Sequence, residues 1–355
     1  MTNLPYPIRV ESGSFAGLGG LVREVAPAHR YAIITDANVA HLYGKAAASS
    51  LGIDQADVLV IPAGESSKTR ATWGWLTDGL ITRGFGRDSA VISLGGGVVL
   101  DLAGFVAATY MRGIPIVHVP TTLLAMIDAS IGGKSGVDTV FGKNLVGAFY
   151  RPNGVLVDPL FLETLPRNEL RTGFAEALKH GVIADRHYFD SVVSAMTGVL
   201  NGAAAGESLT RLIEGSVAVK AGIVGRDERE DGLRKILNFG HTVGHAVEML
   251  SGYTLAHGEA VAIGMTVESR VAERAGVAIS GTAAEIRNAV VAAGLPGSVP
   301  RGMSADRILE VMRSDKKTRG GFVHYSLPRS IGDMAGSESG WTVAVKDTIV
   351  REVLL

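Results

Sequence analysis

The sequence predicts an α/β architecture, an N-terminal parallel sheet followed by a mainly α-helical domain. Before about residue 165, short β-branched runs alternate with longer stretches of helical composition, the β-α-β repetition that builds a parallel sheet covered on both faces. Beyond that point long amphipathic stretches follow one another with little strand pattern. The length of 355 residues suits two domains at roughly 150 residues each, set at 1–165 and 166–355.

Taken in order, Tyr31–Asp36 reads as a strand, residues 38–50 as a helix, Asp57–Pro62 as a strand and residues 68–83 as a helix. Ala90–Leu94 is a buried strand by its apolar content and runs into Gly95-Gly96-Gly97 and a helix reaching about Ala108. Ile114–Pro120 and Gly154–Asp158 add strands, joined by a glycine-rich connection. The second half reads as helices over 167–185, 187–200, 207–224, 230–250, 256–276, 281–294 and 304–313, then a hairpin around Phe322–Leu327 and a closing helix at 346–354. No fixed-period repeat and no low-complexity linker separates the halves, so a shared ligand cleft is expected.

Lys and Arg number 34 against 35 Asp and Glu, so no overall field favours nucleic acid or an anionic membrane, and neither is expected as a partner. Cysteine is missing, which excludes disulfides, thiolate nucleophiles and thiolate metal sites and fits a cytoplasmic location. The N-terminus has no basic stretch leading into an apolar run, and no segment offers ~18 uninterrupted apolar residues. A soluble, unexported protein is expected.

Glycine is the outlier, with 46 residues clustered where candidate motifs lie. A strand entering Gly95-Gly96-Gly97-Val98 and then a helix lets backbone N–H groups approach a pyrophosphate; the same triplet also serves a plain tight turn, since it is not G-x-G-x-x-G. Glu65 and Lys68, after a strand, suit a ribose or a phosphate, or simply a helix start. Asp128 to Gly136, then Gly142-Lys143-Asn144, put two lysines and an acid in a long glycine-rich loop, a phosphate-binding composition. In the helical half Glu176, His241, His245 and His257 offer oxygen and nitrogen ligands for a divalent metal, with His241 and His245 on one helix face; core histidines bonded to carbonyls are the alternative. His29, His41, His118, His187 and His324 have no such company and receive no role.

In order, Gly95-Gly-Gly-Val-Val-Leu-Asp101-Leu-Ala-Gly-Phe, Ala108-Thr-Tyr-Met-Arg112-Gly, Pro120-Thr121-Thr122-Leu-Leu, Ile131-Gly-Gly-Lys134, Gly142-Lys-Asn144, Leu237-Asn-Phe-Gly-His241-Thr-Val-Gly-His245 and His257-Gly-Glu259-Ala-Val-Ala cover nearly the whole chain. This series resembles the sugar phosphate cyclases, and within them the 3-dehydroquinate synthase family of the shikimate route. The resemblance implies a Rossmann-like NAD-binding domain followed by a helical metal- and substrate-binding domain. It implies zinc or cobalt on Glu176, His241 and His257, with His245 outside the metal shell as a proton acceptor and Glu230 as another. Substrate contacts are implied for Arg112, Asp128, Lys134, Asn144, Lys179, Lys220, Arg234, Asn238 and one of the lysines at 316–317, taken as Lys316. NAD contacts are implied for Asp36, Asn38, Glu65, Lys68, Gly96, Gly97, Val98, Asp101, Thr121, Thr122, Lys143, Phe161, Leu162, Glu163 and Thr164.

The implied reaction turns 3-deoxy-D-arabino-heptulosonate 7-phosphate into 3-dehydroquinate and phosphate by oxidation, elimination, reduction, ring opening and aldol closure. The implied assembly is a homodimer in which Arg112 reaches the neighbouring subunit's substrate. Leu100, Ala129 and Asp138 depart from the family's usual small residue, serine and asparagine. The alternatives are another sugar phosphate cyclase or a metal- and NAD-dependent polyol dehydrogenase, and the lysine constellation argues against the dehydrogenase.

Overall fold

Valine, isoleucine and leucine fill the buried strands, because branched side chains suit a pleated surface covered on both faces. The computed structural model describes residues 4–200, 206–314, 318–319 and 322–355. Contacts divide the chain into two compact units, Met1–Pro166 and Arg167–Leu355.

The first unit has strands β1 (Ile8–Val10), β2 (Arg30–Asp36), β3 (Val58–Ile61), β4 (Ser89–Gly95), β5 (Ile116–Pro120), β6 (Lys134–Thr139), β7 (Gly142–Phe149) and β8 (Gly154–Val157). Its helices are α1 (Leu18–Val25), α2 (Ala37–Val39), α3 (Lys45–Leu51), α4 (Arg70–Thr82) and α5 (Gly97–Thr109). Six strands form one parallel sheet in the order β1-β8-β5-β4-β2-β3. The chain adds β3 on one side of β2 and β4 on the other, so the topology switches direction there. The carboxyl ends at this switch are Asp36 and Gly95, where open α/β sheets bind ligands. Ile34, Leu59, Val91 and Ile116 join Leu76, Leu80, Leu102 and Val106 from α4 and α5 in the core.

The second unit has helices α6 (Arg167–Ala184), α7 (Arg186–Leu200), α8 (Gly206–Val224), α9 (His241–Leu250), α10 (His257–Arg274), α11 (Thr282–Ala292), α12 (Ala305–Ser314) and α13 (Asp347–Leu354). Short strands β9 (Thr318–Arg319), β10 (Phe322–Tyr325), β11 (Pro328–Ser330), β12 (Asp333–Met334) and β13 (Val343–Ala344) complete it. Val243, Val247, Ile263 and Val267 of α9 and α10 pack with Ile308, Leu309, Met312 and Val350. No helix among the described residues is long and apolar enough to cross a membrane.

Two local expectations change, and a third gains a partner strand. The helix expected over 230–250 is a 3₁₀ turn, Leu233–Asn238, and then α9, because Gly240 at φ 80° stops one and starts the other. The glycine-rich connection before β8 is the antiparallel hairpin β6–β7, whose glycines let the two backbones meet: a Cβ on Gly136 would lie 2.6 Å from the Val146 carbonyl oxygen. The hairpin expected around 322–327 is present in β10, which pairs antiparallel with β9 just before it in the chain and, on its other side, with the distant β13.

Candidate active site

Three helix segments of the second unit bring the expected metal ligands together. Glu176 lies midway along α6, while His241 and His257 are the first residues of α9 and α10. The helices approach through glycine: a Cβ on Gly264 would strike the Gly240 carbonyl, one on Gly258 the Thr172 backbone, and one on Gly244 would sit 2.9 Å from the Ala260 carbonyl oxygen. Glu176 Oε1 is 3.5 Å from His241 Nε2 and 3.8 Å from His257 Nε2. Two ligands ~2.1 Å from one tetrahedral cation stand about 3.4 Å apart, so these separations fit. Glu176 is fully buried; Lys179 Nζ, one turn on and equally buried, ion-pairs with Oε2, while Oε1 accepts no hydrogen bond. A desolvated carboxylate facing two imidazoles is a setting that favours a divalent cation.

The other ring nitrogens face acceptors. His241 Nδ1 lies 3.2 Å from the Phe239 carbonyl oxygen and His257 Nδ1 3.5 Å from Glu248 Oε2, which leaves each Nε2 for a ligand. His245 is exposed, its ring centroid 5.2 Å from that of His241 and 5.8 Å from that of His257, and one ligand atom from each histidine falls within 4.8 Å of the others. Glu268, midway along α10, accepts the Gly240 N–H at 2.7 Å and the Val243 N–H at 2.9 Å.

The segment before α9 is organised by Asp227, whose carboxylate accepts the backbone N–H groups of Asp231 at 3.0 Å, Gly232 at 2.8 Å and Arg234 at 2.9 Å. Burial works against its charge, yet these donors outweigh that and hold its pKa below the ordinary carboxylate value. Within the loop Glu230 adopts φ 65° and accepts a hydrogen bond from Asn238 Nδ2, while the buried Arg234 guanidinium donates to the Glu228 carbonyl. Thus Glu230, Arg234 and Asn238 are brought together. Lys220 is buried on α8.

In the first unit α5 follows Gly96 at its N-cap position, with no side-chain cap, and a Cβ on Gly96 would sit 3.2 Å from Thr122 Cγ2. Glycine therefore keeps the helix N-terminus open beside Thr121 and Thr122, a fit for a pyrophosphate. Thr122 Oγ1 accepts the Ala125 N–H, and Thr121 N–H donates to the Gly95 carbonyl. Lys68 Nζ bonds Asp101 Oδ2 at 2.5 Å and Asn144 Oδ1 at 2.6 Å, and Lys143 pairs with Glu65 at 3.3 Å. Burial opposes the Lys68 charge, but Asp101 more than offsets it and the pKa rises. Asp138, the departure from asparagine, accepts the N–H of Asn144 at 2.9 Å and steadies that residue at φ 54°.

Other expected residues lie elsewhere in their units. Asp36 caps its own helix through the N–H groups of Asn38 and Val39. Phe161 to Thr164 belong with Tyr43: the Phe161 and Tyr43 rings are 4.8 Å apart, and Tyr43 OH is 2.6 Å from Thr164 Oγ1. Asp128 is half-buried in a π-helical turn, Ala125–Ala129, and Lys134 and Arg112 are exposed. Lys316 lies outside the described residues. Sequence reasoning missed Glu248, Glu268 and the organising role of Asp227. An acid inside the apolar run Ala260–Ala272 was the available signal for Glu268.

The chain matches the family models for 3-dehydroquinate synthase N-terminal over residues 58–172 and 3-dehydroquinate synthase C-terminal over residues 173–318. It is 48% identical over 335 residues to a 3-dehydroquinate synthase of Symbiobacterium thermophilum, covering 93% of this chain and 92% of that one. Among solved structures it resembles 2-epi-5-epi-valiolone synthase from Streptomyces hygroscopicus subsp. jinggangensis with NAD+ and Zn2+ bound, at TM-score 0.88 and 29% identity over 100% of this chain and 97% of that one. It also resembles 2-deoxy-scyllo-inosose synthase complexed with carbaglucose-6-phosphate, NAD+ and Co2+, at TM-score 0.88 and 25% identity over 98% and 95% of the two chains. With both halves of the family matched in sequence and nearly the whole chain shared with such a relative, this chain belongs to the 3-dehydroquinate synthase family.

Proposed function

We propose that the chain performs its family's reaction, converting 3-deoxy-D-arabino-heptulosonate 7-phosphate to 3-dehydroquinate and phosphate in the shikimate route to aromatic amino acids. The carrying observation is Glu176, a fully buried carboxylate whose Oε2 is ion-paired with Lys179 and whose Oε1 lies 3.5 and 3.8 Å from the Nε2 atoms of His241 and His257. These three would hold the metal, zinc or cobalt as in the two solved relatives. The glycine turn at Gly96 and Gly97, with Val98, Asp36, Asn38, Glu65, Lys68, Asp101, Thr121, Thr122, Lys143 and Phe161 to Thr164, would hold NAD. When bound, the cation polarises the hydroxyl to be oxidised and the nicotinamide accepts and returns a hydride.

The chain's own residues do the rest. The substrate carries a carboxylate and a phosphate, and in a chain of net charge −1 the cations must be placed locally. Lys134, Lys179, Lys220, Arg234 and Lys316 supply them, with Asp128, Asn144 and Asn238 orienting hydroxyls. His245, one helical turn beyond His241, takes the hydroxyl proton at an imidazole nitrogen, and Glu230 receives a second proton at its carboxylate. Arg112 is assigned to the neighbouring subunit's substrate in a cytoplasmic homodimer. In support, Met111 and Arg112 both hold left-handed backbone, at φ 51° and 67°, and Met111 is exposed. Such strain costs of order 1 kcal/mol per residue and is kept where it serves a purpose.

The test is turnover of the heptulosonate phosphate with catalytic NAD and saturating metal. Phosphate release over many turnovers with no NADH accumulating is expected. One NADH per substrate and no phosphate would instead mean a polyol dehydrogenase.

A further inference from the structure

We infer that Glu268 is a positioning residue for the metal ligand His241: from α10 it caps the first turn of α9 and fixes the helix end that carries the ligand. The inference rests on the metal reading proposed above. A helix leaves its first N–H groups without intrahelical partners, and the residue before the first turn usually answers one of them with a side-chain oxygen. Here that residue is Gly240, which has no side chain and stands at φ 80°. Glu268 supplies acceptors from another helix, Oε1 to the Val243 N–H that Gly240 cannot serve and Oε2 to the N–H of Gly240 itself. These are the two donors that a capping box satisfies within one segment, served here by a single carboxylate from outside it.

Burial makes this more than a surface cap. Glu268 is 0% exposed, and its helix neighbours Ile263, Met265, Val267 and Val271 are buried and apolar. An acid is costly in such surroundings unless its oxygens are bonded. At the positive end of α9 its bonds are charge-assisted. His241 lies between the two capped N–H groups, and its Nδ1 faces the carbonyl of Phe239, the residue just before Gly240. The short stretch 239–243 therefore sets the start of the helix and the direction of the ring together. Close contact is built in, since a Cβ on Gly264 would strike the Gly240 carbonyl. α10 thus contributes His257 as a ligand in its first turn and, three turns on, the clamp for another ligand.

The test uses the full chain, stripped of metal and titrated with Co2+, reading affinity by chelator competition and ligand geometry from the visible spectrum. Glu268→Gln presents one acceptor oxygen and turns an NH2 group toward an N–H donor. It is expected to bind Co2+ roughly 10- to 100-fold more weakly with altered visible bands, while circular dichroism shows a folded protein. Glu268→Asp, which keeps the charge, should recover part of the affinity. A residue that only stabilises the fold would lower the melting temperature and leave the folded protein's affinity and spectrum unchanged. That result for Glu268→Gln, with His241→Ala losing Co2+, would overturn the positioning role alone. Wild-type Co2+ affinity in His241→Ala would overturn the metal reading beneath it. Should Glu268→Gln fail to fold, amide exchange in the wild type decides: Co2+ should slow exchange at Gly240 and Val243, and unchanged exchange there would overturn the proposal.

Discussion

Glu248 Oε2 stands 3.5 Å from His257 Nδ1, while Nε2 of the same ring lies 3.8 Å from Glu176 Oε1. The imidazole is held between two carboxylates that ask different things of it: Glu248 accepts a hydrogen bond from Nδ1–H, and the opposite nitrogen is left with its lone pair. Glu248→Ala is therefore expected to weaken metal binding roughly 10- to 100-fold in chelator competition, and Glu248→Gln, which keeps an acceptor, by less. Equal affinity in all three proteins would remove Glu248 from the account.

Asp227 makes a prediction in acid. Its folded pKa lies below the ordinary value of 3.8, so the stability it contributes is present above that value and is lost as pH falls through the folded pKa. Asp227→Asn should melt at a lower temperature than wild type at neutral pH, with the gap closing below about pH 4. With the loop of Glu230 and Arg234 loosened, turnover should fall more than substrate affinity. A gap constant down to the lowest accessible pH would count against the carboxylate's role.

His118 behaves differently. It is buried in the sheet with Nδ1 2.6 Å from Ser93 Oγ, and desolvation depresses its pKa from 6.5 to about 4. The unfolded chain takes up this proton first, so stability is full above 6.5 and declines as pH falls toward 4, by about 3 kcal/mol at most. His118→Gln, neutral throughout and still able to bond Ser93, should show a flatter stability profile across that window in urea titrations. An unchanged slope would assign the acid sensitivity to other groups.

Lys68 joins Asp101 and Asn144 at 2.5 and 2.6 Å. Removing one partner of a buried pair leaves the other charge stranded, so Lys68→Met should cost about 3 kcal/mol of stability. Adding Asp101→Asn should restore much of it, and both proteins should need more NAD for half-maximal rate. Failure of the second substitution to restore stability would show that Lys68 acts mainly through other neighbours.

Candidate residues stand out in the sequence by their chemistry: a glycine turn after a buried strand, an acid and histidines suited to a divalent metal, lysines among glycines. Residues that act through backbone do not. Asp227 works by accepting backbone N–H groups from residues up to seven positions away, and nothing in residue type distinguishes it from a solvated acid. Gly240 sits inside a segment of otherwise helical composition, so only its left-handed φ reveals the break before His241. The β6–β7 hairpin was hidden because the glycines that permit its close pairing also lower its strand propensity.

The glycine contacts beneath the ligand helices make the tolerance of this centre to mutation lopsided. At Gly264 and Gly258 the atoms in the way are backbone, of Gly240 and Thr172, so no smaller neighbour can be chosen to make room. A second-site suppressor of Gly264→Ala has little to act on, whereas a changed ligand can be answered by another ligand. Laboratory evolution toward a different metal should accordingly accumulate exchanges at the proposed ligands Glu176, His241 and His257 and leave the spacing between their helices untouched.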